Sequence, residues 1–265
     1  MNLVEDVTEE IKKEPSKEVS LEDFQKLVEC FRIITETNCT DCDIEKGVIR
    51  QRTNDRHSLL RMDLTPILGD FNLGIASTKQ KVGIMRMFSD FEDSKNILIT
   101  DKGTFFRYND QHSKIESTKP DRALLDNQYI SDEKYNDYTN IDSDELLLST
   151  EIESNFNKKI SIVGEHIDSD MVIISMNKLT ATIGLEEANK ENKITVVKDI
   201  PLNQEVEKSS CRVFILPFKM ETIGPISLNI YKRKKNVAFC QFDMTLINGI
   251  TFNVYILAKI TYTTK

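Results

Sequence analysis

The stretch Ser20-Leu-Glu-Asp-Phe-Gln-Lys-Leu-Val-Glu-Cys-Phe-Arg-Ile-Ile34 decides the first element of the fold. Its opening, Ser20-Leu-Glu-Asp23, has the pattern of a capping box, in which a hydroxyl and an acidic side chain close the first helical turn. The apolar residues recur at helical spacing, which predicts an amphipathic helix to about Glu36. They are Leu21, Phe24, Leu27, Val28, Phe31 and Ile34.

Short apolar segments bounded by turn residues follow this helix and predict an antiparallel meander. They are 43–52, with a turn at Glu45-Lys-Gly47, then 58–64 and 70–76. A second helix is predicted at 77–88, and a hairpin at 96–100 and 104–108 with Gly103 in its turn. The segment 116–140 has no sustained period and is typical of a linker.

The order of elements recurs after this linker, which indicates two similar units in one chain. Asp142-Ser-Asp-Glu145 predicts the cap of a third helix with Leu146, Leu147, Ile152 and Phe156 on its apolar side. Strands are predicted at 159–165, 171–176, 179–185 and 193–199, a short fourth helix near 209–220, hairpin arms at 226–231 and 237–244, and a last strand at 252–262. The predicted divisions are a charged tail at 1–19, a first domain at 20–116, a connector at 117–141 and a second domain at 142–265.

Composition excludes several classes. Charged residues make up 29% of the chain, and no stretch approaches the roughly eighteen apolar residues of a membrane span. The N-terminal residues are a Glu and Lys mixture without the apolar core of a signal peptide, so we expect a protein of the cytosol or of a host cell's interior. The formal charge of −8, from 35 Lys and Arg against 43 Asp and Glu, argues against a nucleic-acid partner unless the cations lie together on one face.

The cysteines do not indicate a disulfide framework. Cys30, Cys39, Cys42, Cys211 and Cys240 form an odd and scattered set, which favours reduced thiols. Cys39-Thr-Asp-Cys42 leaves a zinc site open as an alternative, but no second pair of ligands accompanies it, and two small residues at a helix-to-strand turn explain it as well. No metal or other cofactor is predicted.

No catalytic motif is present. The three histidines, His57, His112 and His166, are far apart in the sequence. Acidic runs such as Asp142-Ser-Asp-Glu145 and Asp168-Ser-Asp170 leave a metal-dependent nuclease as an alternative, but both runs lie at predicted cap or turn positions, where Asp and Ser are favoured locally. The sequence therefore predicts a protein that is not an enzyme.

Three stretches resemble the sliding clamps of the proliferating cell nuclear antigen and bacteriophage type. The first is Phe24-Gln-Lys-Leu-Val-Glu-Cys-Phe-Arg-Ile-Ile34 with Cys42-Asp-Ile-Glu-Lys-Gly-Val-Ile-Arg50 and Gln51-Arg-Thr-Asn-Asp-Arg-His57-Ser-Leu-Leu60. The second is Ser210-Cys-Arg-Val-Phe-Ile-Leu-Pro-Phe-Lys219, which is similar to the fourth helix of these clamps. The third is 226–231 with Phe252-Asn-Val-Tyr-Ile-Leu-Ala-Lys-Ile260, which is similar to their closing strands; together the resemblance spans about residues 18–262.

The resemblance implies an α+β fold of two similar sliding-clamp domains, each an antiparallel sheet with two helices on one face. It also implies a homotrimeric ring that surrounds double-stranded DNA without sequence preference, with helices lining the hole. The implied DNA-binding residues are Lys26, Arg32, Lys79, Lys81, Arg86, Arg212 and Lys219. These cations also fit ordinary solvated helix faces. The predicted third helix departs from a basic lining because Glu145, Glu151 and Glu153 dominate its polar side, although Lys158 and Lys159 follow. The run Lys232-Arg-Lys-Lys235 is predicted to be a hairpin tip that touches DNA or serves as a solubilising turn.

Clamps of this family also hold a short peptide, with an apolar and aromatic plug, beneath the connector between their domains. DNA polymerase and the clamp loader are the implied partners. The matching positions are Thr53, His57 and Leu60, then Leu124, Leu125, Tyr129 and Ile130 in the connector, and Tyr255, Leu257 and Ala258 near the C-terminus. The family's proline after the alanine is absent, and Lys259 follows Ala258 directly. His57 fits an exposed turn residue equally well.

Two other functions remain open on the sequence. A transcription accessory factor on the same fold has the same pattern, and a non-enzymatic, β-rich oligomeric structural protein would also lack a catalytic site. The cations on most of the predicted helix faces favour a DNA-encircling protein over the structural one. Many Asn, Ile and Lys residues indicate a large DNA phage or virus, with the protein in the host cytoplasm or a viral replication compartment.

Overall fold

A computed structural model describes residues 16–37, 39, 41–53, 57–75, 77–89, 96–100, 105–107, 114–115, 129–142, 144–185, 198–234 and 236–262. The chain divides into two compact units. The first contains Met1–Asn54 and Met62–Ser131, and the second contains Asp55–Arg61 and Asp132–Lys265.

The described part of the first unit contains three helices, α1 (Leu21–Glu36), α2 (Thr65–Leu68) and α3 (Thr78–Ser89). Its strands are β1 (Ser16–Ser20), β2 (Cys42–Glu45), β3 (Val48–Arg52), β5 (Leu73–Ile75), β6 (Asn96–Thr100), β7 (Phe105–Arg107) and β8 (Lys114–Ile115). Strand β4 (Ser58–Asp63) begins in the segment that belongs to the second unit.

The helix α1 begins where the capping box predicts. The Ser20 hydroxyl accepts a hydrogen bond from the Asp23 amide at 3.1 Å, which satisfies one of the free N–H groups of the first turn. Its apolar face is buried, and α1 packs against α3. The antiparallel sheet β1-β6-β7-β8 and the pairing of β2 with β3 and β5 complete the unit.

The described part of the second unit contains α4 (Asp132–Thr139), α5 (Ser154–His166) and α6 (Leu216–Lys219). Its strands are β9 (Glu145–Ile152), β10 (Met171–Leu185), β11 (Lys198–Phe214), β12 (Ile226–Lys234), β13 (Val237–Thr245) and β14 (Thr251–Tyr262). Strands β14, β13, β12 and β9 form an antiparallel sheet in that order. Strands β10 and β11 form a long hairpin, and the end of β11 also pairs with β14.

Many predicted elements are confirmed. They are the helices at 20–36 and 77–88, the strands at 43–52, 58–64 and 96–100, and the arms at 226–231, 237–244 and 252–262. The strands predicted at 70–76 and 104–108 are observed over the shorter ranges of β5 and β7. The turn at 101–103, the predicted tail up to residue 15 and all of 186–197 lie outside the described residues. Of the strand predicted at 193–199, only residues 198 and 199 are described, and they belong to β11. The short strand expected near residues 18–20 is β1, which pairs with β6.

The predicted third helix is wrong, because residues 145–152 form β9 and the helix begins only at Ser154. Strand β9 pairs with β12 along its length, and it buries Leu147, Leu148 and Ile152. The predicted strand at 159–165 is correspondingly helical. Its buried residues Asn157, Ile160 and Gly164 recur at the helical spacing of one face.

The predicted fourth helix is also wrong over most of its length. Residues 209–214 belong to β11, in which Cys211 and Val213 are buried while Arg212 between them is exposed, the period-two alternation of a strand. Only Leu216–Lys219 is helical. The strands predicted separately at 171–176 and 179–185 form one strand, β10, with a register shift near Lys178.

Two further predictions need correction. The linker at 116–140, predicted to lack regular structure, contains the helix α4. The basic run at 232–235 does reach the tip of the β12–β13 hairpin, where Lys234 pairs with Val237, but Lys232, Arg233 and Lys234 belong to β12 rather than to the turn. Arg233 bonds the Asp144 carboxylate.

Candidate DNA and peptide interfaces

The cations of α1 are neutralised within the helix. Lys26 forms ion pairs with Glu22 at 2.8 Å and Asp23 at 3.3 Å, and its bond to Glu22 raises the pKa of Lys26. Arg32 bonds the carboxylates of its neighbours one turn away in each direction, Glu29 and Glu36. The polar face of α1 is therefore an internally paired row rather than a basic surface.

The helix α3 has a different balance. It contains Lys79, Lys81 and Arg86 and no acidic residue. Lys79 and Arg86 are exposed, whereas Val82 and Met85 are buried. Because no acidic residue lies on it, α3 carries a net positive charge.

Two helices of the second unit, α5 and α6, are also cationic, whereas α4 is acidic. Lys158 and Lys159 are exposed on α5, whose acidic residue is Glu165 in its last turn, and Lys219 is exposed on α6. The glutamates that made the predicted third helix acidic do not lie on it. Glu145 and Glu151 belong to β9, and Glu153 precedes the first turn of α5. The expectation of an acidic third helix is therefore wrong, while Arg212 lies on a strand.

The predicted peptide-contacting residues of the first unit lie along β3. Thr53 and Ile130 are buried, and Tyr129 is half-buried. The Ile130 amide donates to the Arg50 carbonyl at 3.1 Å, and the Tyr129 hydroxyl donates to the Glu45 carboxylate. The end of the connector is thus bonded to β3, whereas Leu124 and Leu125 lie outside the described residues.

The corresponding residues of the second unit lie at the start of β4 and on two faces of β14. Leu60 and Ala258 are core residues, 0% and 5% exposed, whereas Leu257 is 44% exposed and Tyr255 half-buried. The Leu257 amide donates to the carbonyl of the exposed His57 at 2.9 Å, which places these two segments side by side. Tyr255 and Leu257 alternate with core residues and so share the outer face of the strand.

The sequence pattern does not predict the row of aromatic side chains that lies on this face. The Tyr255 ring stacks on Phe239 with centroids 5.5 Å apart, and it meets the ring of Tyr135 from α4 edge-on at 5.7 Å. The Arg233 guanidinium lies over the Phe239 ring, 4.3 Å from its centroid. We call Arg233, Phe239, Tyr255 and Tyr135 the aromatic row.

A polar network borders the aromatic row. The Asp243 carboxylate accepts hydrogen bonds from the side-chain amides of Gln241 and Asn253, each at 2.6 Å. Arg61 donates to the Asn253 side-chain oxygen at 3.4 Å. This outer face of the sheet therefore carries packed aromatic rings bordered by fixed hydrogen-bonding groups.

The described residues hold no group of three or more His, Cys, Asp or Glu side chains placed to bind a metal ion. All five cysteines are buried free thiols, and burial raises the pKa of Cys42 well above its ordinary value. Within the same described ranges, no helix is long and apolar enough to cross a membrane.

Sequence comparison gives no relatives, since no protein-family model and no curated protein matches the chain. Comparison with solved structures finds similar proteins. The chain is similar to the A. fulgidus PCNA in its complex with the C-terminal region of FEN-1, with a TM-score of 0.56 and 13% identity over 94% of this chain and 99% of that one.

Two other solved structures extend the likeness. A chain of the PCNA2-PCNA3 complex from Sulfolobus tokodaii matches with a TM-score of 0.53 and 10% identity over 92% of this chain and 99% of that one. The DNA polymerase III subunit beta from Pseudomonas aeruginosa matches with a TM-score of 0.52 and 8% identity over 92% of this chain and 66% of that one. The chain therefore has the α+β fold of the sliding clamps.

Proposed function

We propose that this protein is a sliding clamp, a ring-shaped processivity factor without catalytic activity that encircles duplex DNA and tethers DNA polymerase. The observation that carries the proposal is the sliding-clamp fold over nearly the whole chain, in a protein whose helices α3, α5 and α6 expose cations despite its net charge of −8. A closed ring does not need a tight grip, so a few nonspecific phosphate contacts are sufficient.

The proposed assembly is a homotrimer that closes head to tail. Two strands at sheet edges support it, because β8 ends the four-stranded sheet of the first unit and β10 is paired in the described residues only with β11. Exposed strand edges are templates for pairing with another chain. Light scattering at micromolar concentration should give the mass of a trimer, and a monomer at every concentration would contradict this part of the proposal.

The proposed partners are a polymerase and a clamp loader, which would dock through short peptides at the outer face of β14. The likeness to the PCNA structure that holds the C-terminal region of FEN-1 supports a peptide partner. Richness in Asn, Ile and Lys supports an origin in a large DNA phage or virus, with the protein in the host cytoplasm or a replication compartment.

The DNA-contacting surface is tested by matched charge removal. Lys158→Gln with Lys159→Gln, on the basic α5, should lower the slope of log affinity against log salt by about 2, since each phosphate contact contributes about 0.9. Lys26→Gln with Arg32→Gln removes the same charge from α1, where acidic neighbours already pair both cations, and should change the slope much less. Equal effects of the two variants would contradict the assigned lining.

Encirclement itself is tested by topology. A clamp loaded on nicked circular DNA should stay bound during gel filtration and should be released when a restriction enzyme linearises the circle. Retention that is equal on circular and linear DNA would indicate ordinary binding. An absence of DNA binding in the low-salt titration would favour the structural-protein alternative.

A further inference from the structure

We infer that α4 is a removable plug, in which Tyr135 occupies the slot beside Tyr255 that a phenylalanine of a partner peptide enters. This inference rests on the proposed peptide-docking function of the outer face of β14. It identifies Tyr135 as the residue that fills the slot in the free protein, so that a partner peptide must displace this side chain to bind.

Tyr135 is the one buried side chain of α4. It is 4% exposed, whereas Asp132, Glu133, Lys134, Asn136, Asp137 and Tyr138 around it are all exposed. An eight-residue helix with so polar a sequence is marginal on its own, since nucleation is costly and few backbone hydrogen bonds form. The contact of Tyr135 with the aromatic row is therefore the apolar packing that α4 makes with the sheet.

The contact is favourable for the ring and unfavourable for the hydroxyl. The Tyr135 and Tyr255 rings meet edge to face at an interplanar angle of 83°, a preferred geometry for aromatic pairs. The buried Tyr135 hydroxyl, in contrast, has no hydrogen-bond partner in acceptable geometry within the described residues. Burial, and then the neighbouring Tyr255 hydroxyl, raise the pKa of Tyr135 far above its ordinary value.

This imbalance identifies the kind of partner that displaces the plug. A phenylalanine ring fits the same edge-to-face geometry against Tyr255 and brings no hydroxyl that must be desolvated. Leu257, 44% exposed and on the same face of β14, offers apolar surface to a second side chain of the peptide. The slot is therefore better suited to a phenylalanine with an apolar or aromatic neighbour than to the tyrosine that fills it.

Arg233 lets the helix leave the slot without leaving the unit. Its guanidinium donates to the carbonyl oxygens of Tyr138 and Asn140 at 2.8 and 2.6 Å and to the Asp144 carboxylate at 2.8 Å. These bonds hold the C-terminal end of α4 to β12, whereas Tyr135 lies nearer its start. Release of Tyr135 therefore opens the slot while residues 138–144 stay attached.

The experiment measures binding of a short fluorescein-labelled synthetic peptide that carries two adjacent phenylalanines and no other aromatic residue. Fluorescence anisotropy is recorded with the full chain and with Tyr135→Ala, Tyr135→Phe and Tyr138→Ala. Tyr135→Ala empties the slot and should tighten Kd about tenfold, by the inverse of the open fraction. Tyr135→Phe removes the unpaired hydroxyl but keeps the ring, so the plug should hold better and Kd should weaken about threefold.

Tyr138→Ala is the matched control, since this tyrosine lies three positions away on the same helix and is 43% exposed. It should bind as the wild type does. Unchanged or weaker binding by Tyr135→Ala in a folded protein, or no binding by any variant, would overturn the plug. If Tyr135→Ala does not fold, the plug is tested by whether Tyr135→Phe weakens peptide binding, as predicted.

The same preparations are tested for retention on circular DNA, which keeps the two proposals separate. If Tyr135→Ala gains peptide affinity while no protein is retained on DNA, the plug stands and the clamp function fails. If retention is normal and the peptide affinities do not differ, the clamp function stands and the plug is overturned.

Discussion

The polar face of α1, in the first unit, and the surroundings of Arg233, in the second, differ in how their side chains are paired. In the first unit, Arg32 bonds acidic residues three and four positions away on its own helix. In the second, Arg233 bonds Asp144, 89 positions earlier, and Asn157 bonds the Met220 carbonyl, 63 positions later. The partners of Arg32 are its neighbours in the sequence, whereas those of Arg233 are brought to it by the tertiary fold. Counting charges along a helix therefore predicts the pairing of Arg32 but not that of Arg233.

The largest expected effect on stability is at Gly47. This residue belongs to the first unit, but its close neighbour, Gly69, is distant in the sequence. Gly47 has φ +71, and a side chain there would overlap the carbonyl oxygen of Gly69. Gly47→Ala should lower the free energy of unfolding by about 4 kcal/mol, through strain and backbone displacement. Urea unfolding followed by circular dichroism measures it.

Gly249 in the second unit is the matched control. It has φ +82, but no heavy atom lies within 4 Å of an added Cβ, so Gly249→Ala carries only the left-handed backbone penalty of about 1 kcal/mol. Equal losses in the two variants would mean that the close approach of Gly47 to Gly69 does not constrain the turn.

The next largest expected effect on stability comes from comparing Arg233 with Arg32. Arg233→Ala leaves the Asp144 carboxylate, whose side chain is 3% exposed, without its partner and should cost about 3 kcal/mol. Arg32→Ala removes ion pairs whose side chains are 37% to 42% exposed, and it should cost no more than about 0.5 kcal/mol. The same unfolding measurement applies to both.

A double variant separates the pair from its surroundings. Adding Asp144→Ala to Arg233→Ala removes the unpaired buried charge and should recover part of the loss. No recovery would assign the effect of Arg233 to its bonds with the α4 carbonyls and its contact with Phe239 instead.

The same difference explains which parts of the fold the sequence predicts. The first unit is signalled locally, by the Ser20 cap, the helical spacing of Phe24 and Leu27, and the turn at Gly47. In the second unit, the acidic run at 142–145 looks like a cap, but pairing with β12 makes the following residues a strand. The predicted fourth helix fails likewise, because the resemblance to the clamps favours a helix there, whereas the alternation of buried residues around Arg212 is that of a strand.

The candidate site divides in the same way. Tyr255 and Leu257 were identified because the C-terminal strand resembles that of the clamps, and Lys79 and Arg86 because their helix is amphipathic. Tyr135, Phe239 and Arg233 carry no local signal, since their contacts join segments that only the tertiary fold brings together. The lysines of α5 fall at the end of the predicted acidic helix, because that prediction starts the helix at 142–145, about three turns before Ser154.

The smallest effect concerns alkaline pH and falls mainly on the second unit. Burial raises the pKa of Tyr135 and Tyr255 there. A group with a raised pKa in the folded protein stabilises it fully below the unfolded pKa, about 10 for tyrosine, and that contribution is lost as pH rises further. Between pH 9 and 10.5, wild type should lose about 1 kcal/mol more than Tyr135→Phe, which has no phenol to ionise in either state. Urea midpoints across this range measure the difference, and parallel curves would mean that the Tyr135 hydroxyl is solvated, contrary to its role as a buried plug.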